Sequence, residues 1–123
     1  VEHCSGHHFA KVVVVMADNR PVELVLPATR RVLLDRVRHL LGAKKLRLAT
    51  EDEIHHSFPD TEVGAIPPLD HWVGIPMIAD RSLETPGDIL MQAGTHEDVI
   101  RLSYGDWFDM VRPRLASFSE PMA

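Results

Sequence analysis

FAKVVVVMADNRPVELVL, residues 9–26, places two apolar runs on either side of four turn-forming residues. Val12 to Val15 and Met16 make a run without a polar break, the pattern of a strand buried on both faces. Residues 22–26 form a second apolar run, and Asp18-Asn19-Arg20-Pro21 between them is rich in turn formers. Residues 9–17 and 22–26 are therefore predicted to pair as a hairpin. One residue does not fit. Lys11 stands at the mouth of the apolar run, where its amine must reach water, a partner or a ligand.

After the hairpin the period changes. Val32, Leu33, Val37, Leu40 and Leu41 recur at helical spacing, with Thr29 as an expected N-cap and Gly42 as the C-terminal stop. That helix would turn its arginines outward. Residues 46–49 read as a short strand, and Thr50-Glu51-Asp52-Glu53 has capping-box spacing for a brief helix through Phe58. Residues 59–70, rich in Gly, Pro and Asp, read as a structured loop of unusual length for a compact domain. Residues 73–79, 88–93 and 99–102 are expected strands, with a turn at Pro86-Gly87. Ser103 and Asp106 open a last helix that buries Trp107, Phe108 and Val111 and stops before Pro113. The tail to Ala123 is expected to be loosely held. About six strands with three helices, lacking regular βαβ alternation, predict an α+β fold: a mixed, barrel-like sheet flanked by helices.

At 123 residues the chain is expected to be a single domain. Its 45% hydrophobic and 25% charged content excludes disordered and collagen-like classes. The apolar runs are too short to cross a bilayer and the first residues lack a signal-peptide pattern, so a cytoplasmic protein is expected. The single Cys4 cannot form an internal disulfide. A net charge of −5 argues against indiscriminate polyanion binding. Yet seven of the thirteen basic residues, Arg30, Arg31, Arg36, Arg38, Lys44, Lys45 and Arg47, fall in one segment whose only acid is Asp35. That is a footprint for a nucleic-acid backbone, and equally the pattern of a solvated helix face.

Standard chemical motifs are missing. His3, Cys4, His7 and His8 are close in sequence and His55-His56 are adjacent, but neither group has metal-site spacing, so no metal or other cofactor is expected. There is no nucleophile elbow, dinucleotide glycine pattern or Walker loop. What remains is Lys11 at a strand mouth, VGAIPPLD in the long loop, a strand ending at Asp80, and AGTH between two strands. Gly64 and Gly94 suit turns that need positive φ, and such turns can leave backbone N–H groups open to stabilise an oxyanion.

FAKVVVV, LLGAKKLRLAT, VGAIPPLD, IPMIADRSL and QAGTHEDVIRLSY, in that order, resemble the YbaK and prolyl-tRNA-synthetase-associated domain family of trans-editing aminoacyl-tRNA deacylases. The likeness runs from Phe9 to Pro113, and its order and spacing make it more specific than any one motif. It implies a mixed β-barrel fringed by helices. It also implies hydrolysis of the ester on a tRNA mischarged with a small amino acid, in translation quality control. Lys11 matches the family's strand-mouth lysine, which is implicated in holding the terminal adenosine or the ester. Gly64, Ala65, Ile66, Pro67 and Pro68 match a loop whose backbone shapes the site around the carbonyl. His96, with Gly94, matches a position that helps select the side chain. Asp80 falls where relatives carry an acid, without an assigned role. Arg30, Arg31, Lys44 and Lys45 would contact tRNA. The expected partners are the acceptor end of aminoacyl-tRNA and an aminoacyl-tRNA synthetase, with no membrane and no DNA. Relatives carry a helix and an extended segment before the lysine strand, so this chain is expected to lack that N-terminal segment. The competing expectations are a non-catalytic domain that binds tRNA ends or a synthetase, and a metal-dependent hydrolase built on the histidines.

Overall fold

In the computed structural model, which describes residues 8–62, 64–69 and 74–122, the hairpin forms from β1 (Phe9–Ala17) and β2 (Arg20–Pro27). They pair antiparallel, with Lys11 opposite Leu26 and Ala17 opposite Arg20. The turn is tighter than the four residues expected. Only Asp18 and Asn19 occupy it, with φ of 48° and 67°, the two-residue geometry whose twist suits paired strands. Arg20 and Pro21 consequently join β2.

The other edge of β1 is paired at both ends. β4 (Leu46–Leu48) runs antiparallel beside Val15 to Ala17, and β6 (Asp88–Gln92) runs parallel beside Phe9 and Ala10. Between these contacts the edge faces loops, and Ala49 N–H donates to the Val14 carbonyl at 3.0 Å. Parallel to β2 lies β5 (Met77–Asp80), and β8 (Arg114–Ala116) continues parallel to β5. β7 (Val99–Ser103) closes the opposite side, antiparallel to β6. The order is β7-β6-β1-β2-β5-β8, with β4 added on β1. The fold is thus α+β with a mixed seven-stranded sheet, which among the described residues stays open, with β7 and β8 at its edges.

Three expectations need correction. β5 starts at Met77, later than expected: Gly74 takes φ 91°, and pairing with β2 begins where the Pro76 carbonyl accepts the Glu23 N–H at 2.9 Å; Val73 lies outside the described residues. The first helix, α1 (Leu34–Leu41), starts five residues after Thr29. Residues Arg30–Val32 instead form β3, which pairs antiparallel with β9 (Ser119–Pro121). Leu33 stands at the N-cap without a side-chain cap, so α1 is secured by its packed face and by Gly42, whose φ of 63° and N–H bonds to the Arg38 and His39 carbonyls close it. The basic segment is therefore no single helix face. It is divided among β3, α1, a loop and β4. Third, the tail is not loose: it supplies β8 and β9, and Phe118 between them is fully buried.

The capping-box helix α2 (Glu51–Ser57) forms as its sequence predicts, Thr50 accepting from Glu53 N–H while Glu53 accepts from Thr50 N–H. Glu53 also takes both arms of the Arg47 guanidinium at 2.7 Å. Those Arg47 bonds, with the Thr50 N–H, hold its carboxyl down at about 2. α3 (Tyr104–Val111) is capped by Ser103 and ends at Arg112, φ 50°, ahead of Pro113.

Strand alternation sends β1 side chains to two different cores. Val15, with Val13 against its rim, joins Leu24, Leu26, Val37, Ile78 and Phe118 on the α1 face. Ala10 meets Trp107, Tyr104 and Met91 on the α3 face. Farther along that second face, Val14 packs on Phe58 and Ile66, beside Val12. Each fully buried aliphatic side chain here is worth about 1.5–3 kcal/mol. The two faces are held independently, and the long loop is fastened to one of them.

Candidate functional site

The loop through Gly64 and the loop through His96 are joined by three hydrogen bonds, and a fourth closes the Gly64 loop on itself. Glu62 N–H donates to the Gly94 carbonyl at 2.8 Å, and Gly94 N–H donates to the Ala65 carbonyl at 2.9 Å. Ala65 N–H returns to the Glu62 carbonyl at 3.0 Å. Finally, Glu62 Oε1 accepts the His96 backbone N–H at 2.6 Å. Gly64 and Gly94 have φ of 87° and 98°, conformations in which a side chain is strained. At Gly64 a side chain would also crowd its neighbour. A β-carbon there would stand 3.3 Å from His96 Cε1.

This arrangement commits the N–H groups of Ala65, Gly94 and His96. The N–H groups of Gly64 and Ile66 make no hydrogen bond among the described residues. They are open donors of this loop, and a backbone N–H left open is the kind of group that can meet a developing negative charge. The side chains beside them face inward: Ala65, Ile66 and Pro68 are buried and Pro67 half-buried. Pro68 spends its carbonyl on the Trp107 indole N–H at 2.6 Å, which fixes the loop to α3. Gly64 and His96 are exposed, so the loop presents mainly its backbone and the His96 ring.

Lys11 is not brought into this cluster. It alternates with Val12 and Val14 and so lies on the α1 face, opposite the face that holds Ile66. There it lines a cleft of about 270 Å³ with Val13, Arg31, Val32, Leu34 and Leu48. Partial burial lowers the pKa of its amine because a desolvated cation is less favourable. Along the sheet the two places are neighbours nonetheless. Continuing the β1–β6 register sets Gln92 level with Lys11, and the Gly94 loop begins just beyond.

Asp80 is a structural clamp. Its Oδ1 accepts the Phe118 N–H at 2.8 Å, while Oδ2 accepts the N–H and hydroxyl of Ser82. Burial alone would raise its pKa, but these donors, with Ser119, outweigh it and hold the carboxyl below the usual carboxylate range. Arg30 is bound to Ser119, and Arg31 Nε donates to Glu120 at 2.6 Å. Lys44 and Lys45 are exposed, their backbone N–H groups held by the Asp18 carboxylate. Sequence reading overlooked Glu62: its partner is 34 residues away, and no local pattern announces that meeting. His3, Cys4 and His7 lie outside the described residues, and among the described ones no three metal-binding side chains cluster.

The aminoacyl-tRNA editing domain family matches residues 1–110 of the chain. The fold is similar to the crystal structure of the hypothetical protein APE2540, with TM-score 0.85 and 21% identity, over 94% of this chain and 77% of that one. A candidate trans-editing enzyme for prolyl tRNA synthetase is similar with TM-score 0.85 and 20% identity, over 95% and 73% of the two chains. A candidate signal transduction protein from Marinobacter aquaeolei VT8 matches 97% of this chain with only 26% of its own, at TM-score 0.77 and 16% identity. At these identities the likeness is one of fold. No curated protein matches the sequence.

Proposed function

The chain belongs to the aminoacyl-tRNA editing domain family, and from that premise we propose that it is an aminoacyl-tRNA deacylase acting in trans. The observation that carries this reading is the junction of the Gly64 and His96 loops, which leaves the Gly64 and Ile66 N–H groups without internal partners among the described residues. The bond to be broken is the ester between an amino acid and the terminal ribose of tRNA. Water adds to the carbonyl carbon while the carbonyl oxygen takes up negative charge against those two N–H groups. Collapse of the adduct breaks the bond to the ribose oxygen, which leaves with a proton, releasing amino acid and tRNA. The neighbouring ribose hydroxyl orients the water. An ester this labile needs positioning and oxyanion donors more than it needs a strong nucleophile.

His96 beside Gly64 limits the side chain that fits, which favours small residues such as Ala, Ser, Thr or Cys. Exclusion of larger ones by bulk is steric, whereas a missing methylene is worth only about 1–3 kcal/mol. Lys11, in its cleft with Arg31, holds the terminal nucleotide, and the exposed Lys44 and Lys45 meet the tRNA backbone, while Arg30, tied to Ser119, supports the neighbouring ribbon. An aminoacyl-tRNA synthetase is the partner that would deliver the substrate, and the cytoplasm is the compartment where it is made. No helix among the described residues is long and apolar enough to cross a membrane.

The test is to incubate the protein with tRNAs charged with Ala, Ser, Thr, Cys and Pro and follow loss of the ester. Turnover of at least one small aminoacyl ester is expected. Absence of turnover on every member sinks the reading. The placement of Lys11 on the opposite face from Ile66 favours one alternative, a tRNA-end-binding domain without catalysis. Tight binding of every charged tRNA without hydrolysis would establish it.

A further inference from the structure

We propose that Glu62 receives the α-ammonium group of the substrate, making a free amine, and not only a small side chain, a condition of recognition. This rests on the deacylase reading of the same loops. An aminoacyl ester carries a cation two bonds from the carbonyl carbon, so a carboxylate a few ångströms from N–H donors to the carbonyl oxygen would recognise it. Glu62 is that carboxylate. It lies two residues before Gly64 and four before Ile66, whose N–H groups are the open donors. One of its oxygens holds the His96 N–H at 2.6 Å. The other, Oε2, has no partner among the described residues, and the residue is exposed. Both its backbone groups are hydrogen-bonded to the Ala65 and Gly94 segments, so the carboxylate is fixed relative to the donors before substrate arrives. Asp98, another acid of the second loop, is turned away and bound to the Thr95 hydroxyl at 2.6 Å.

Binding can be measured apart from turnover with two stable analogues, 3′-alanylamino-3′-deoxyadenosine and its N-acetyl counterpart, titrated into the full chain and followed by amide chemical shifts. The protein is expected to bind the amine form about tenfold more tightly, the scale of a charge-assisted hydrogen bond. Glu62→Gln should bind both forms alike with an unchanged spectrum elsewhere, since the glutamine oxygen still accepts the His96 N–H. Glu97→Gln, a control on the neighbouring exposed acid, should keep the preference. Equal affinity for the two analogues, failure of both to bind at millimolar concentration, or a preference that survives Glu62→Gln overturns the proposal. A protein that prefers the amine analogue yet hydrolyses no aminoacyl-tRNA would remove the deacylase reading and leave this site standing. An active protein blind to acetylation would do the reverse.

Discussion

The His96 ring rests on the bare α-carbon of Gly64: a β-carbon at Gly64 would lie 3.3 Å from His96 Cε1 and 3.9 Å from Nε2. Strands β5 and β6 separate these residues in sequence, yet their contact sets the shape of the exposed loop pair. Backbone conformation and side-chain packing make the same demand there. Gly64 has φ 87°, and a methyl there would press on the His96 ring, which would have to give by a few tenths of an ångström.

Gly64→Ala is accordingly expected to affect activity more than folding. Left-handed backbone costs an L-residue about 1–2 kcal/mol, a loss a domain of this size survives. A displaced His96 ring and a shifted Gly64 N–H should lower deacylation by about tenfold to a hundredfold. Thermal unfolding and single-turnover deacylation, measured side by side, check this. Full activity with lowered stability would show that the contact is packing alone.

Lys11→Met retains the aliphatic stem that covers Val13 and Val32 in the cleft and removes the charge. The variant should fold as well as its parent, with weaker tRNA binding and a salt dependence of log K shallower by about one unit if the amine neutralises one phosphate. If Lys11 holds the ester instead of a phosphate, single-turnover rate falls and the salt slope is unchanged. Normal binding and normal turnover together would make the lysine incidental.

Rules that act over a few residues were readable from the chain. Thr50 and Glu53 announce α2, Gly42 announces the end of α1, and the apolar run from Val12 to Val15 announces the central strand. Pairings between distant segments were not. Val32 and Leu33 share a helical period with Val37 and Leu40, but the backbone groups of Arg30 to Val32 find β9, with Arg30 meeting Ser119 across 89 positions. That pairing overrides propensity and converts an expected helix face into a ribbon. The glycines of the site were visible because left-handed turns favour a residue without a β-carbon. Glu62 was not, because a carboxylate acquires its role only when His96 arrives beside it. Lys11 was visible as an oddity, while the side of the sheet it occupies follows from which neighbours fill each core.

Asp80→Ala tests the clamp that holds the tail. It leaves the Phe118 N–H buried without its acceptor, a loss of about 1–3 kcal/mol. Because the folded carboxyl titrates below its ordinary value, its contribution is complete above the unfolded pKa of about 4 and disappears as pH falls through the lower folded value. Urea unfolding from pH 7 downward should therefore show parent and Asp80→Asn converging below about pH 4. A constant gap across that range would assign the stabilisation to packing.

The basic residues should divide into two groups when tRNA binding is titrated with salt. Lys44 and Lys45 are exposed, and no side-chain ion pair restrains them among the described residues. Reversing both to Glu should weaken binding and flatten the slope of log K against log salt by about two units. Arg30 is tied to the hydroxyl and carbonyl of Ser119. Its replacement by Ala should loosen the β3–β9 ribbon, lowering the unfolding temperature while leaving the salt slope unchanged. Arg31 stands between the groups, since its guanidinium serves Glu120 and also borders the Lys11 cleft. Arg31→Ala should reduce affinity and flatten the slope by about one unit. An unchanged slope in the Lys44, Lys45 double variant, alongside a reduced one in Arg31→Ala, would confine tRNA to the cleft.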